Sequence, residues 1–474
     1  MRLSPTLTTY NGCDVAVTYE SKQDLWFELG EFGLKHYYFG YLQPLASAVY
    51  AMQMRGMPVD LGRMEEAKRE RLAKMGRLRE SLRGCAAIIN EPDYNPNSNP
   101  QTAKLLREFG FHSGRETDKG APKADKMEIV TALLKTAGTP VEAVFANIAE
   151  YRGESKDYGT FLAGPKAKPW LHIRPWSDGR IRTRFLVTTR TGRLQSRKWT
   201  TPWGVGPEFQ NIPDDIRRIY CAPPGYEFIQ ADAAQLELVL MANAAGVRVW
   251  LDAIAAGKSI HIVNMVNVMH TTEEEAAHAR KASDTNCPTH EKCHRRYVTI
   301  KKFVFADNYW AEVPTIQEQL LTEARILIPL SHLEATMASY RSFLPEIPTW
   351  RDRQYKSALA TREIRSTLPD GSTRLRRLFE PKDKLRGISV NDPIQSTGAH
   401  FINFGFLTLH KRGCPLVNQV HDSVLALCRR EDRNKVADEI RDAYAHRAII
   451  EGKEVAIKMD LTRGESWGEM ESLS

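Results

Sequence analysis

A chain of 474 residues is longer than one ordinary hydrophobic core serves, so two to four domains or subdomains are expected, and 42% hydrophobic with 26% charged residues is a globular balance. The formal net charge of +8 favours a polyanionic partner such as nucleic acid, while saying nothing about fold. Seven scattered cysteines with no Cys-x-x-Cys pair argue against a disulfide framework, and there is neither an apolar signal core at Met1 nor any run of about 18 apolar residues, so the chain reads as soluble and cytoplasmic, with no membrane partner.

In chain order, Tyr10-Asn-Gly-Cys-Asp14 leads into a helix-like run to about Leu29. Residues 43–165 are helical in pattern, and Leu45, Val49, Met52 and Met54 predict one helix ending near Gly56. The densely charged run from Lys68 to Arg83 reads mostly as a solvated helix face, although its positive excess suits a phosphate backbone. Asn95-Pro-Asn-Ser-Asn-Pro100 is a turn cluster before a helix over Thr102–Phe109, and Lys119-Gly-Ala-Pro122 is a further break. Strands are predicted at Leu171–Arg174, at Arg180–Thr189 and from Tyr226. Helical patterns then return over 236–380. The remainder alternates: a helix over Thr397–Leu409, a hairpin around Gln419–Ser423, a helix over Asp432–Ala445 and a final strand over Glu454–Asp460. One strand layer is thus assembled from two separated segments around a helical insert, an α+β layout.

Three stretches carry candidate chemistry. Tyr226-Glu-Phe-Ile-Gln-Ala-Asp232 follows a Pro-Pro-Gly turn and reads as a buried strand, with a buried helix from Ala234. Asp232 therefore stands where the strand ends, a rigid place for a metal-binding carboxylate. Read alone, a helix cap is the commoner use of such an aspartate. The second stretch, Leu416–Leu427, is two apolar strands flanking His421-Asp422-Ser423, a hairpin with a carboxylate at its tip. If the hairpin pairs beside the first strand, two aspartates meet and can hold two magnesium ions roughly 3.5–4 Å apart, the geometry of in-line phosphoryl transfer. The third stretch is a basic helix whose i, i+4 spacing puts Lys301, Phe305 and Tyr309 on one face. A cation followed by two aromatics suits phosphate, sugar and base of a nucleoside triphosphate; an aromatic stripe packed into a core is the commoner use.

These stretches, in order and spacing, resemble motifs A, B and C of the family A DNA polymerases. Asp232-x-x-Gln235-Leu236-Glu237 resembles motif A, Lys301-x-x-x-Phe305-x-x-x-Tyr309 motif B, and Gln419-Val-His-Asp422 motif C. Thr191-Gly-Arg193 and Gln210-Asn-Ile-Pro213 look like the family's template-primer segment. Asn391-Asp-Pro-Ile-Gln-Ser-Thr-Gly-Ala399 looks like its Asn-x-Pro-Ile-Gln helix, in a form similar to phage members. Met54-Arg-Gly-Met-Pro-Val-Asp60, Asn95-Pro-Asn-Ser98 and Tyr151-Arg152-x-x-x-Lys156 resemble its thumb, and Gly464-x-x-Trp467 its C-terminus.

The resemblance implies a right-hand fold: an exonuclease-end remnant over 1–42, a helical thumb over 43–165, an antiparallel palm from 166–235 and 385–474, and helical fingers over 236–384. It implies template-directed DNA synthesis, in phage replication, from primer-template DNA and deoxynucleoside triphosphates (dNTPs). Asp232, Asp422 and the backbone carbonyl of Ala233 are the implied ligands of two Mg2+ ions, with Mn2+ as a substitute. Lys301 neutralises the triphosphate and protonates the leaving pyrophosphate. Glu237 excludes a 2′-hydroxyl, and Gln235, His261, Arg296, Phe305 and Tyr309 complete the nucleotide site. Arg193, Asn391, Gln395, His421, Arg152 and Lys156 contact DNA through shape and backbone, because a copying enzyme accepts any sequence.

The sequence departs from the family in places. Tyr297 stands where motif B has its arginine, with Arg296 one residue out of step. Trp310 replaces the glycine after the motif B tyrosine, Ser423 a glutamate after Asp422, and Ala233 an aromatic after Asp232. An apparent insertion before motif B holds Cys287, His290, Cys293 and His294, a zinc candidate whose spacing matches no common pattern. Tyr10-x-x-x-Asp14 resembles the last motif of a 3′→5′ exonuclease, and one aspartate builds no two-metal nuclease, so either the chain is truncated or a separate exonuclease chain is expected, besides any processivity factor. The competing readings are a single-subunit RNA polymerase and a non-catalytic nucleic-acid-binding subunit.

Overall fold

A computed structural model of the chain describes residues 5–112, 115, 116, 118, 120, 122–164, 172–281 and 289–473. At its centre lies a five-stranded antiparallel sheet. The central strand, Tyr226–Ala233, pairs on one side with Ser423–Arg429 and on the other with Met459–Ser466; Leu416–Val420 and Glu469–Ser472 form the edges. Side chains alternate between the faces of a strand. Ile229, Ala231 and Ala233 accordingly enter the larger core with Val424, Ala426 and Cys428 of the neighbouring strand. Phe228 enters a second core on the opposite face with Leu425, Leu427 and Trp467. Both faces are covered, which is why these strands are nearly continuous apolar runs.

The central strand passes into the helix Leu236–Ala245 through Gln235, which takes a left-handed φ of 52°. That helix is apolar on almost every side and is buried accordingly, with Leu236, Leu238, Val239, Leu240 and Met241 all in the core. Further helices follow in sequence: Ile260–Met269, Glu273–Ala279, His290–Asn308, Val313–Ala324, Leu330–Phe343 and Glu346–Thr361. The 30-residue helix Lys382–Lys411 then crosses the larger core with Phe401, Ile402, Phe406 and Leu409, and a Cβ on its Gly405 would overlap the Tyr444 ring. The helix Pro140–Asp157 belongs to a separate helical unit whose core includes Leu105, Phe145 and Ile148, while the helix Leu61–Ser81 beside it sends Met64 and Ala67 into the second core with Phe228. The nearly buried Arg71 joins Glu154 of that unit to Asp215 beside the sheet.

Several elements differ from expectation. The predicted final strand over Glu454–Asp460 is two strands: Lys453–Val455 pairs with Ala448–Ile450, and Met459–Ser466 pairs with the central strand. The predicted helical stretch 236–380 ends in a hairpin, Glu363–Thr367 with Thr373–Arg377. Its arginines are not surface charge alone: Arg374 and Arg376 ion-pair with the fully buried Asp392, a carboxylate that needs such partners once taken out of water. The helix predicted from Thr397 begins at Lys382, with Pro393 inside it. The strand predicted over Arg180–Thr189 is two short ones, Arg180–Ile181 and Arg184–Leu186. Leu171, Lys119 and Ala121 lie outside the described residues, and Arg174 makes only an isolated bridge to Val205. No helix among the described residues is long and apolar enough to cross a membrane.

Candidate active site

The carboxylates gather at one end of the sheet through strand register. Asp232 is opposite Ser423 on one side and opposite Asp460 on the other. Asp422 is the residue before Ser423, at the hairpin tip, and its carbonyl accepts the N–H of Ala233 at 3.0 Å. Asp232 shares its face with Phe228 and Gln230, but the row runs past the covering core, so its side chain opens to solvent on one side. It does not cap the following helix; Gln235 holds that position. Partial burial, then the charges of Asp422 and Asp460, push the Asp232 carboxyl up to about 6. Burial also raises Asp422, against the opposing pull of Arg193. Asp460 was not a sequence candidate. It is exposed and paired to Lys458 at 2.8 Å. Ser423, where the family pattern has a glutamate, is buried and donates to the Val420 carbonyl at 3.0 Å, so no fourth carboxylate joins the cluster there.

Arg193 links this edge to the following helix. Its Nη2 donates to Glu237 at 2.5 Å and to Asp422 at 3.3 Å. The Tyr309 hydroxyl donates to the other oxygen of Glu237. Asp422, Arg193, Glu237 and Tyr309 thus form one continuous polar chain across the site. The loop that carries Arg193 is fixed from beneath. Gly192 turns at φ 78°, and Asn403 donates to its carbonyl at 3.0 Å and to the Tyr41 hydroxyl at 3.0 Å. Gln419 donates to Asn403 at 3.2 Å, and Gln210 donates to the carbonyls of Leu194 and Gln419. The structure therefore ties Gln210 and Gln419 to holding the Arg193 loop against the hairpin. Asn403 and Tyr41 escaped the sequence reading, because nothing local marks a buried amide as a bracket.

The helix His290–Asn308 lies over this edge and ends at Tyr309. Lys301 is exposed and, among the described residues, holds no ion pair. Phe305 lies one turn on, its ring 5.7 Å from that of His261, and the Tyr297 ring stands 6.0 Å from His261 on the other side. His261 is 6% exposed and its Nδ1 has no partner. Burial, then Lys301 and Arg280, lower it to about 4. It is therefore neutral at physiological pH, with an unsatisfied ring nitrogen beside the Lys301 face. Gln235 does not reach this face through its side-chain oxygen, which accepts the Ile260 N–H at 3.0 Å and so seats the His261 helix. Arg296 is also turned elsewhere: being one residue out of step rotates it about 100° round the helix, and it donates to the Met269 carbonyl at 2.5 Å.

Trp310 has a physical account. Its φ of 67° is one that glycine adopts freely and an aromatic residue resists, at a cost of about 1–2 kcal/mol. The ring is clasped in return by the guanidiniums of Arg351 at 5.2 Å and Arg386 at 5.7 Å, and by Tyr355 at 5.8 Å. Arg351 is itself held by the buried Asp307 at the end of the same helix, which pins that helix in place.

The expected DNA contacts divide. His421, at a left-handed φ of 50°, stands at the hairpin tip within the field of Arg193. Asn391 and Gln395 are half-buried on the long helix, and Asn391 Oδ1 has no partner. Lys156 is exposed. Arg152 differs: its guanidinium donates to the carbonyls of Pro96 and Ala124 at 2.6 Å each, and to Asn99 and Thr102, so four of its five N–H donors brace the helical unit from inside. Among the described residues no group of three or more His, Cys, Asp or Glu side chains could hold a metal ion. Cys287 of the zinc candidate lies outside them; His294 is engaged with the Ala279 carbonyl and Cys293 is buried. Asp14 lies exposed on the helix Pro5–Glu31, and the side chain of Tyr10 lies outside the description.

Residues 63–469 match the family model described as DNA polymerase family A. The chain is 24% identical over 468 residues to the thermostable DNA polymerase I of Thermus aquaticus, covering 94% of this chain and 50% of the relative. It is 24% identical over 474 residues to DNA polymerase I of Lactococcus lactis subsp. lactis (strain IL1403), covering 95% and 48%. The chain spans about half the length of the curated relatives it matches. Among solved structures, the POL domain of Pol1 from M. smegmatis, in complex with DNA primer-template and dNTP, superposes with a TM-score of 0.72 at 19% identity, over 93% of this chain and 72% of that one. The mixed helix-and-sheet fold is the same.

Proposed function

This chain belongs to DNA polymerase family A, and we propose that it extends a primer 3′ end on template DNA by adding deoxynucleotides through two-metal nucleotidyl transfer. The observation that carries the reading is the continuous chain Asp422–Arg193–Glu237–Tyr309. It connects a carboxylate pair on the sheet edge to the helix that presents Lys301. In this reading 166–235 and 385–474 form the palm, 236–384 the fingers and 43–165 the thumb.

The donor set fits divalent metal. Two carboxylates both raised in proton affinity, Asp232 by burial and then the charges of Asp422 and Asp460, and Asp422 by burial, are relieved by a cation, and Mg2+ is commonly held by one or two carboxylates together with substrate phosphates. Asp232, Asp422 and the Ala233 carbonyl would hold two Mg2+ ions, with Mn2+ as a hard-ligand substitute. The chemistry these residues would gain from such ions is activation of the primer 3′-hydroxyl and stabilisation of the leaving phosphate oxygens.

The protein's own groups do the rest. Lys301, exposed and uncommitted, neutralises the triphosphate and gives a proton to the departing pyrophosphate. Glu237 and Tyr309, bonded to each other, form a wall against the sugar that leaves no space for a 2′-hydroxyl. Phe305 packs under the nucleotide beside His261. Arg193 and His421 meet the primer terminus, and Asn391 and Gln395 the template. Lys156 touches the duplex backbone. For Arg152 we assign a bracing role within the thumb. We assign no chemistry to Asp14. The phage-like form of residues 391–399 supports a role in phage DNA replication in the host cytoplasm, with any exonuclease or processivity factor supplied by a partner.

The test is extension of a labelled primer with magnesium and four deoxynucleotides. Wild type extends it; Asp232→Ala and Asp422→Ala bind primer-template and leave it unextended. Extension surviving in either variant would overturn the assignment.

A further inference from the structure

The triphosphate end of the site lacks the arginine that motif B provides. Tyr297 occupies its helical position, and Arg296 faces the Met269 carbonyl. One lysine is little for a group carrying about four negative charges, and polyphosphate sites commonly add an arginine, whose fork can bind two oxygens at once. Another element therefore has to bring the second cation.

The helix Glu273–Ala279 packs against the motif B helix, and the contact is registered by His294, whose Nδ1 bonds the Ala279 carbonyl at 3.0 Å. His294 is three residues before Tyr297, so the end of the short helix meets the motif helix about one turn from the vacant arginine position. The next residue is Arg280, at the end of the short helix and exposed. Its side chain has no hydrogen bond or ion pair among the described residues, whereas most other arginines near the site are committed. We propose that Arg280, brought in from the neighbouring helix, is the arginine that grips the terminal phosphates of the incoming nucleotide beside Lys301. The inference rests on the proposed polymerase reading and concerns how its substrate is held.

Independent support comes from the field of Arg280. It acts on both Tyr297 and the buried His261, whose ring lies 6.0 Å from Tyr297 and whose Nδ1 has no partner. Arg280, Lys301 and His261 thus converge on one place. Tyr297 then has a reason to be where it is: a second arginine at that position would meet Arg280 across the helix contact and repel it.

Arg280 acts by binding the substrate directly, and two measurements test it. In single-nucleotide extension, Arg280→Ala should raise KM for the dNTP by about tenfold or more, the scale of one lost charge-assisted contact, with kcat changed less. Arg280→Lys should recover part of the loss, and Tyr297→Arg placed in the Arg280→Ala background should recover more. The second measurement is dNTP binding to the protein on a primer ending in a dideoxynucleotide, where no chemistry follows. Arg280→Ala should weaken it by a similar factor, with an unchanged melting temperature. Unchanged KM and binding in Arg280→Ala, or a loss carried by Arg296→Ala instead, would overturn the inference. A wild type that binds dNTP through Arg280 without extending primers would overturn the polymerase reading and leave the grip standing.

Discussion

Asp232 and Lys301 stand at opposite ends of the candidate site, and the protein holds them in different ways. Asp232 is set by backbone pairing on both sides, with Ser423 and Asp460 as its neighbours in register. Asp422 is anchored to the same strand by the Ala233 N–H. Lys301 is an exposed side chain on a helix, with no fixed partner among the described residues. One end is rigid and costly: like charges are crowded, and a carboxyl is pushed up to about 6. The other is loose and open. The difference suits a site whose reacting atoms need fixed geometry, while its substrate's phosphates have to enter and leave.

The largest effects are expected at the rigid end. Asp422→Ala or Asp232→Ala should lower primer extension by about a thousandfold or more, the scale seen when preorganised electrostatic stabilisation is removed. Single-turnover extension checks this, and primer-template binding measured alongside should be unaffected. If both variants retain a tenth of the wild-type rate, the rigid end is not the centre of the chemistry. Lys301→Ala comes next, with a loss of about a hundredfold. Because the lysine is expected to act on both binding and leaving group, kcat and KM should both change. A change in KM alone would make it a binding residue only.

Smaller effects are expected between the two ends. Glu237→Ala removes the shared partner of Arg193 and Tyr309, so ribonucleotide use should rise by roughly tenfold to a hundredfold, the range for one lost close contact. Tyr309→Phe deletes only the hydroxyl that Glu237 receives, and should relax sugar selection several-fold while extension with deoxynucleotides persists. Competition between labelled ribo- and deoxynucleotides reads both. Equal selectivity in wild type and Glu237→Ala would place the sugar gate elsewhere.

The same contrast explains what was legible in the sequence. Asp232 and Asp422 could be found because each sits in a local pattern, a strand before a helix and a hairpin tip. The strand layer built from two separated segments followed once the two were paired. Asp460 was missed because its role comes from pairing with a strand far away in sequence, and the Met459–Ser466 strand is broken by charges that hide its alternation. The Glu363–Arg377 hairpin was missed for a similar reason, its arginines being turned to the buried Asp392. Arg152 was expected to contact DNA, and nothing local announced the four carbonyl and side-chain acceptors that engage it. Trp310 was unexplained until Arg351 and Arg386 were seen around its ring. In each case the missing information is which distant element packs where, and periodicity does not carry it.

The mildest substitution sharpens the comparison most, because it tests whether the loose end is nonetheless in register. Phe305 lies one turn from Lys301, and its ring stands 5.7 Å from His261. If that face holds the nucleotide as proposed, the ring edge lies near the sugar. Phe305→Tyr would add a hydroxyl where a dideoxynucleotide lacks its own 3′-hydroxyl. Tyrosine differs from phenylalanine by that one polar group, so packing against His261 should persist and extension with ordinary deoxynucleotides should change by less than about twofold. Dideoxynucleotide incorporation should rise by about tenfold, since one hydrogen bond formed in a partly desolvated site is worth about that factor. Chain-termination ratios measure it directly. An unchanged ratio with normal extension would mean that Phe305 does not face the sugar, and the assignment of the Lys301 face would then have to be rotated round the helix.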